Sequence, residues 1–250
     1  MISRDRISHY LRVIARYIRK PETLGLRRYY FLPDLYEALD QPWVRARDIA
    51  TVLDIGANVG SFTFTTQPLF PNAQFYTFEP LPDCYQKMLQ HLKDARHFKA
   101  FNLALGDQSG EVTIQRSSDD PASSILPMTD VHKGAFPTSA SSTPVAVKLE
   151  RLDTVAQDMA ITEPMLIKID VQGYESFVLK GGQKTVRRAR IVIIETSFKT
   201  LYEGQSLFSD IYQMMNDLGF DYYGAMDQLF DPRDGTPIQE DSLFVKRDAI

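Results

Sequence analysis

The chain is poor in the residues that build staples and metal cages. Its 250 residues include one cysteine, Cys84, one tryptophan and four histidines. A single cysteine excludes an intramolecular disulfide and a cysteine-based zinc site, and a reducing cytosol is its natural setting. The histidines and carboxylates do not recur at metal-ligand spacing, so no metal is expected. No run of roughly 18 apolar residues occurs, which leaves no membrane-spanning candidate. The N-terminus lacks an apolar core with a small-residue cleavage site, so no secretory signal is expected and a cytoplasmic location is. Basic charge is also scarce and unevenly placed. Residues 1–20 hold Arg4, Arg6, Arg12, Arg16, Arg19 and Lys20 against Asp5, and the remaining chain carries 22 basic and 31 acidic side chains. A body that acidic lacks the clustered Lys and Arg that phosphate affinity needs, so no nucleic-acid partner is expected.

What is present is an apolar fraction of 44% with 11% aromatics, enough to exclude a disordered chain. The length fits one α/β domain. From residue 51, near-continuous apolar runs alternate with helical patterns: 51–55, 74–78, 97–105, 165–170 and 190–195 against helices over 60–69, 82–94, 174–188 and 206–218. Strands buried on both faces of a parallel sheet read this way, and the repeated order predicts a doubly wound sheet. Residues 219–226 and 241–246 read as strands of a terminal antiparallel hairpin around the turn-rich 231–237. Residues 117–143 interrupt the pattern with ten Ser or Thr and with Pro121, Pro127 and Pro137. A loop that long is usually functional or mobile, and its flanks, 111–115 and 144–150, alternate like a hairpin. In residues 1–20, Ile7, Leu11, Ile14 and Ile18 share one helical face and the arginines another. Such a helix packs on its own domain or lies on an anionic membrane.

The chemistry concentrates in three strand ends. Asp54-Ile55-Gly56-Ala57-Asn58-Val59-Gly60 closes the first strand; Gly56 and Gly60 would admit a ligand against the backbone, and Asp54 would face an ammonium or order the loop. The spacing lacks the middle glycine of a dinucleotide fingerprint, which disfavours a nicotinamide-dependent oxidoreductase. Glu79, nineteen residues after Gly60, ends the second strand where an acid holds both ribose hydroxyls of a nucleoside. Leu81 would lie on the base, and Ala104 and Leu105, in the run 102–107, would line its edge.

With LDIGANVGSFT, FEPLPD, NLALGD, RLDTV, LIKIDVQGYE with VLKGG, and IIE, the chain resembles the FkbM family of class I S-adenosylmethionine-dependent methyltransferases, most closely over residues 51–225, with the Ser123-Ser124 pair in the inserted loop. The resemblance implies a Rossmann-like sheet of seven main strands with the last antiparallel, an N-terminal helical extension (1–45), a catalytic domain (46–250) and a substrate loop (117–143). It implies S-adenosylmethionine as cofactor and a hydroxyl on a sugar, glycolipid or natural product as acceptor. A non-catalytic S-adenosylmethionine-binding module is the alternative, favoured by Gln172, where the family's motif usually has Glu. A nucleic-acid methylase would need an Asn/Asp-Pro-Pro-aromatic motif where this chain has Asp170-Val171-Gln172-Gly173.

By the same resemblance Asp170 faces the sulfonium end of the cofactor, as the base that takes the acceptor proton or as an orienting group. His132, in the inserted loop, is the other catalytic candidate, with a solvent-exposed loop histidine as the alternative. Lys168 shares a face with Asp170 and, within an apolar strand, needs a partner; Glu195 is the expected one. Cys84 reads as core packing, and Tyr174, Phe198, Tyr202 and Tyr222 as acceptor-pocket wall or core.

Overall fold

The computed structural model describes residues 30–118 and 120–247. The basic segment 1–20 lies outside the described residues. Seven strands form the main sheet: β1 (Thr51–Ile55), β2 (Gln74–Phe78), β3 (Phe98–Phe101), β7 (Met165–Ile169), β8 (Ile191–Ser197), β9 (Phe220–Phe230) and β10 (Pro237–Lys246), in the order β3-β2-β1-β7-β8-β10-β9. All neighbours are parallel except β10, which runs antiparallel to β8 and β9. The order reverses at β1, where β7 takes up the side opposite β2, so a crevice opens over the carboxyl ends of these strands. A second sheet, β4 (Ala104–Gly106), β6 (Ser142–Arg151) and β5 (Gly110–Ser117), stands beside it.

Burial follows the apolar runs. Every residue of β1 and β7 is buried, because helices cover both faces of the sheet. One face packs under α7 (Glu175–Gly181), α8 (Gln183–Val186) and α9 (Phe208–Asp217), with Ile167, Ile169, Val178, Ile194 and Met215 in the core. The other packs under α1 (Pro33–Leu39), α2 (Pro42–Arg45) and α3 (Ser61–Thr66), where Tyr36, Leu39 and Val44 meet Val52, Phe75 and Ile193. Residues 31–44 therefore share the core of the main domain. Two further helices, α4 (Pro82–His91) and α6 (Leu152–Val155), follow β2 and β6.

The run 97–105 is two strands rather than one. Asn102 Nδ2 donates to the carbonyls of Glu79 (2.8 Å) and Pro80 (2.9 Å), which ties the end of β3 to the end of β2. The chain then leaves the main sheet, and Ala104–Gly106 pairs with Leu149–Arg151 of β6. The 117–143 insertion is pinned rather than loose. It contains α5 (Asp130–Ala135), Ser124 bridges Gln115, and Met128 bridges Tyr202. Among the described residues no helix is long and apolar enough to cross a membrane.

Candidate active site

The crevice at the reversal point is a cleft enclosing about 780 Å³, its open mouth included. Its floor is the turn after β1. Gly56 N–H and Ala57 N–H both donate to the Phe78 carbonyl, 3.0 Å each, hooking the turn onto β2. Asn58 adopts a left-handed backbone, φ 48°, and its N–H donates to Glu79 Oε2 at 2.8 Å. Glu79 Oε1 accepts from Leu81 N–H, also at 2.8 Å. A carboxylate has about four lone-pair sites, so Glu79 keeps two for a ligand. Burial, only partly offset by the two backbone donors, pushes its carboxyl up to about 7.

Of the residues expected to hold the cofactor, Gly56, Asn58, Glu79, Leu81, Ala104, Leu105 and Asp170 line this cleft, whereas Asp54, Ala57 and Gly60 do not. Asp54 is fully buried, with Oδ2 accepting from Thr63 Oγ1 at 2.8 Å. The glycines also answer to packing. A Cβ on Gly56 would collide with the Asp170 carbonyl oxygen, and one on Gly60 would press on Leu92 and Met88. Close packing against the β7 loop and against α4 demands them.

The far end of the cleft is built by side chains. Lys168 Nζ donates to Asp170 Oδ2 at 2.8 Å and lies 5.7 Å from the Phe62 ring centroid. The expected pairing of Lys168 with Glu195 is thus corrected: the ammonium reaches along its own strand to the carboxylate two residues on. Burial alone would lower its pKa, but Asp170, Asp241 and Asp54 outweigh burial and hold it charged. Burial raises the Asp170 carboxyl, and Lys168 with Gln172 overcomes this to leave it below the usual range. Glu195 instead faces Gln172. One amide nitrogen, Gln172 Nε2, donates to Asp170 Oδ1 (2.8 Å) and to Glu195 Oε2 (2.9 Å) and Oε1 (3.1 Å). Its Oε1 accepts from the Tyr202 hydroxyl at 3.0 Å. A glutamate at position 172 would set a third carboxylate against two others, so the amide serves as a neutral bridge here. Glu175 Oε1 shapes the loop by accepting from the N–H groups of Val171 (3.0 Å) and Gly173 (3.1 Å).

His132 is buried at 4% exposure and does not line the cleft, so it is no solvent-exposed loop histidine. Its ring packs edge-on against Tyr202, centroids 5.1 Å apart, and against Phe136. Tyr174 and Tyr202 are core; Phe198 is 38% exposed, and Tyr222 hydrogen-bonds Glu240 at 2.7 Å. Cys84 is buried and also lines the apolar part of the cleft. Ile114 and Ile125 line it too, unforeseen although Ile114 falls on the inward side of the alternating 111–115 strand. Ser124, of the Ser pair, donates to the Gln172 carbonyl at 2.6 Å and so fastens the insertion to the polar end. Among the described residues no group of three or more His, Cys, Asp or Glu side chains is arranged to hold a metal ion.

The cleft fits a nucleoside sulfonium. It offers an apolar slot, an acid with spare lone pairs, and Asn58 Oδ1, buried without a hydrogen-bond partner among the described residues. The sheet order and this cleft are those of a Rossmann-like methyltransferase that uses S-adenosylmethionine. The chain belongs to the FkbM methyltransferase family: the Methyltransferase FkbM domain matches residues 54–222. It is 30% identical over 201 residues to 2-O-methyltransferase NoeI of Sinorhizobium fredii, covering 78% of this chain and 79% of that one. It is 26% identical to methyltransferase sdnD of Sordaria araneosa over 88% of each chain. It is 24% identical over 143 residues to hexuronic acid methyltransferase AglP of Haloferax volcanii, covering 57% of this chain and 54% of that one.

Proposed function

We propose that this methyltransferase moves the methyl group of S-adenosylmethionine to a hydroxyl oxygen of a sugar, glycolipid or natural-product acceptor. The observation that carries the reading is the two-part cleft, in which an apolar slot beside Glu79 runs into a polar end at Asp170 and Gln172. A hydroxyl loses its proton as it is methylated, and a polar, carboxylate-rich end suits that acceptor. The relatives named for 2-O-methylation and for hexuronic acid methylation support a sugar-type acceptor.

In this reading Glu79 holds the ribose hydroxyls on its spare lone pairs, and Leu81, Ala104 and Leu105 flank the adenine. Asn58 Oδ1 accepts from the ammonium of the amino-acid part. Gly56, Ala57, Gly60 and Asp54 keep the turn in shape, Asp54 through Thr63. When bound, S-adenosylmethionine supplies an electrophilic methyl group. Asp170, fixed by Lys168 and Gln172, orients the reacting groups, and alignment of acceptor and methyl supplies much of the rate through proximity. His132 acts at one remove by packing on Tyr202, which holds Gln172. The test is incubation with methyl-labelled S-adenosylmethionine and a panel of glycosides, hexuronic acids and glycolipids, read by mass spectrometry. Label on a hydroxyl oxygen supports the reading; label confined to nitrogen or protein overturns it.

A further inference from the structure

The proton of a methylated hydroxyl has to go somewhere, and Asp170 is poorly suited to take it. Both of its oxygens are engaged, one by the Lys168 ammonium and one by the Gln172 amide, 2.8 Å each. A carboxylate held in this way is a weak base. Glu195 stands one hydrogen bond beyond the cleft lining. It is the fifth residue of β8, the strand beside β7, and is partly exposed. Among the described residues it forms no ion pair, since Lys168 is committed to Asp170. Its contacts are to a single neutral donor, Gln172 Nε2. That amide has one sensible orientation, because a flip would turn its oxygen toward two carboxylates. The Tyr202 hydroxyl on the amide oxygen fixes the same orientation, and Tyr202 is itself buried against His132.

We propose that Glu195 takes the proton of the acceptor hydroxyl, and that Gln172, oriented by Tyr202, is the positioning residue that aims its carboxylate. This rests on the O-methyl transfer reading and adds the identity of the base. The acceptor oxygen forms its bond to the methyl carbon, the electron pair of the carbon–sulfur bond stays on sulfur, and the O–H proton passes to a Glu195 carboxylate oxygen. A sulfonium and a carboxylate thereby become a thioether and a carboxylic acid. The charged and titratable groups around Glu195 are Lys168 and Asp170 from β7 and its end, Glu175 from α7, Asp241 opposite it on β10, and Tyr202. Burial, then the carboxylates of Asp170, Glu175 and Asp241, raise the proton affinity of Glu195 well above the ordinary carboxylate value, with Lys168 opposing.

Two measurements on the full chain decide the matter. Glu195→Gln is expected to bind S-adenosylmethionine within about 3-fold of the parent by calorimetry, while kcat on a methylated member of the glycoside panel falls ~100-fold or more and KM changes little. Carbon-13 carboxyl NMR of glutamate-labelled protein, with the Glu195 signal assigned by its loss in Glu195→Gln, is expected to show titration well above the ordinary carboxylate range. Gln172→Met, which removes the donor to the charged form, should move that titration further up, a shift that a merely structural role would not produce. A kcat for Glu195→Gln within about 3-fold of the parent would overturn the proposal, as would a Glu195 carboxyl titrating at its ordinary 4.5. If no sugar is methylated by the parent, the acceptor reading fails on its own, and the kcat of Glu195→Gln on whichever hydroxyl acceptor takes the label still decides the role of Glu195.

Discussion

The two ends of the cleft are built differently. The β1–β2 end is made of backbone: N–H groups of residues 56, 57, 58 and 81 fold around one carbonyl and one carboxylate. The β7–β8 end is made of side chains from four separate stretches, Lys168 to Glu175, Glu195, Tyr202 and the insertion around Ser124. A backbone cradle is short in sequence and shapes a ligand common to many enzymes. A side-chain network is spread along the chain, and one substitution in it alters charge, orientation and proton affinity together.

The two ends are joined at Gly56, which leads to the largest expected effect. Gly56→Ala places a methyl on the Asp170 carbonyl oxygen at a φ of 81°. A cost of about 4 kcal/mol or more is expected, measured as a fall in Tm of roughly 10–15 °C or as loss of soluble protein. A fall of only a degree or two would show that the ends are not packed against each other. Lys168→Met comes next. It leaves Asp54, Asp170 and Asp241 without their shared cation, and removing one partner of a buried pair costs roughly 3 kcal/mol. The variant should regain stability as pH falls from 7 through about 6, where Asp241 already titrates and takes up a proton, and equal destabilisation at pH 7 and pH 5 would contradict the network.

The β1–β2 end has its own pH signature. Glu79 titrates at about 7 in the fold against 4.5 for an ordinary glutamate. Its folded value is raised, so its contribution to stability is present below 4.5 and is lost as pH rises through 7. Ligand affinity moves the opposite way, because ribose hydroxyls donate best to the ionised form. The Kd for S-adenosylmethionine should therefore tighten from pH 6 to pH 8, by up to ~10-fold, and Glu79→Gln should flatten the profile. A profile unchanged by Glu79→Gln would remove Glu79 from the ribose site.

The same contrast explains what could be read from the sequence. The seven-strand sheet was legible because β1, β7 and β8 are buried on both faces and so are almost uninterrupted apolar runs. The split at Asn102 was not, since a side-chain amide capping two carbonyls leaves no periodic signal. Glu79, Leu81, Ala104 and Leu105 were legible as strand ends in neighbouring order. The partner of Lys168 was not, because Asp170 and Glu195 both lay within plausible reach and only side-chain direction chooses between them. The work of Gln172 was hidden for a similar reason. From the chain alone it reads as a lost charge, whereas in three dimensions it bridges two carboxylates and answers a buried tyrosine.

The most direct test of this division is a crystal structure of the protein with S-adenosylhomocysteine, the demethylated product. Adenine is expected between Leu81 and the Ala104–Leu105 edge, ribose hydroxyls on Glu79, and sulfur at the end lined by Asp170 and Gln172. A nucleoside seated at the Asp170–Gln172 end, with sulfur toward Leu81, would contradict it.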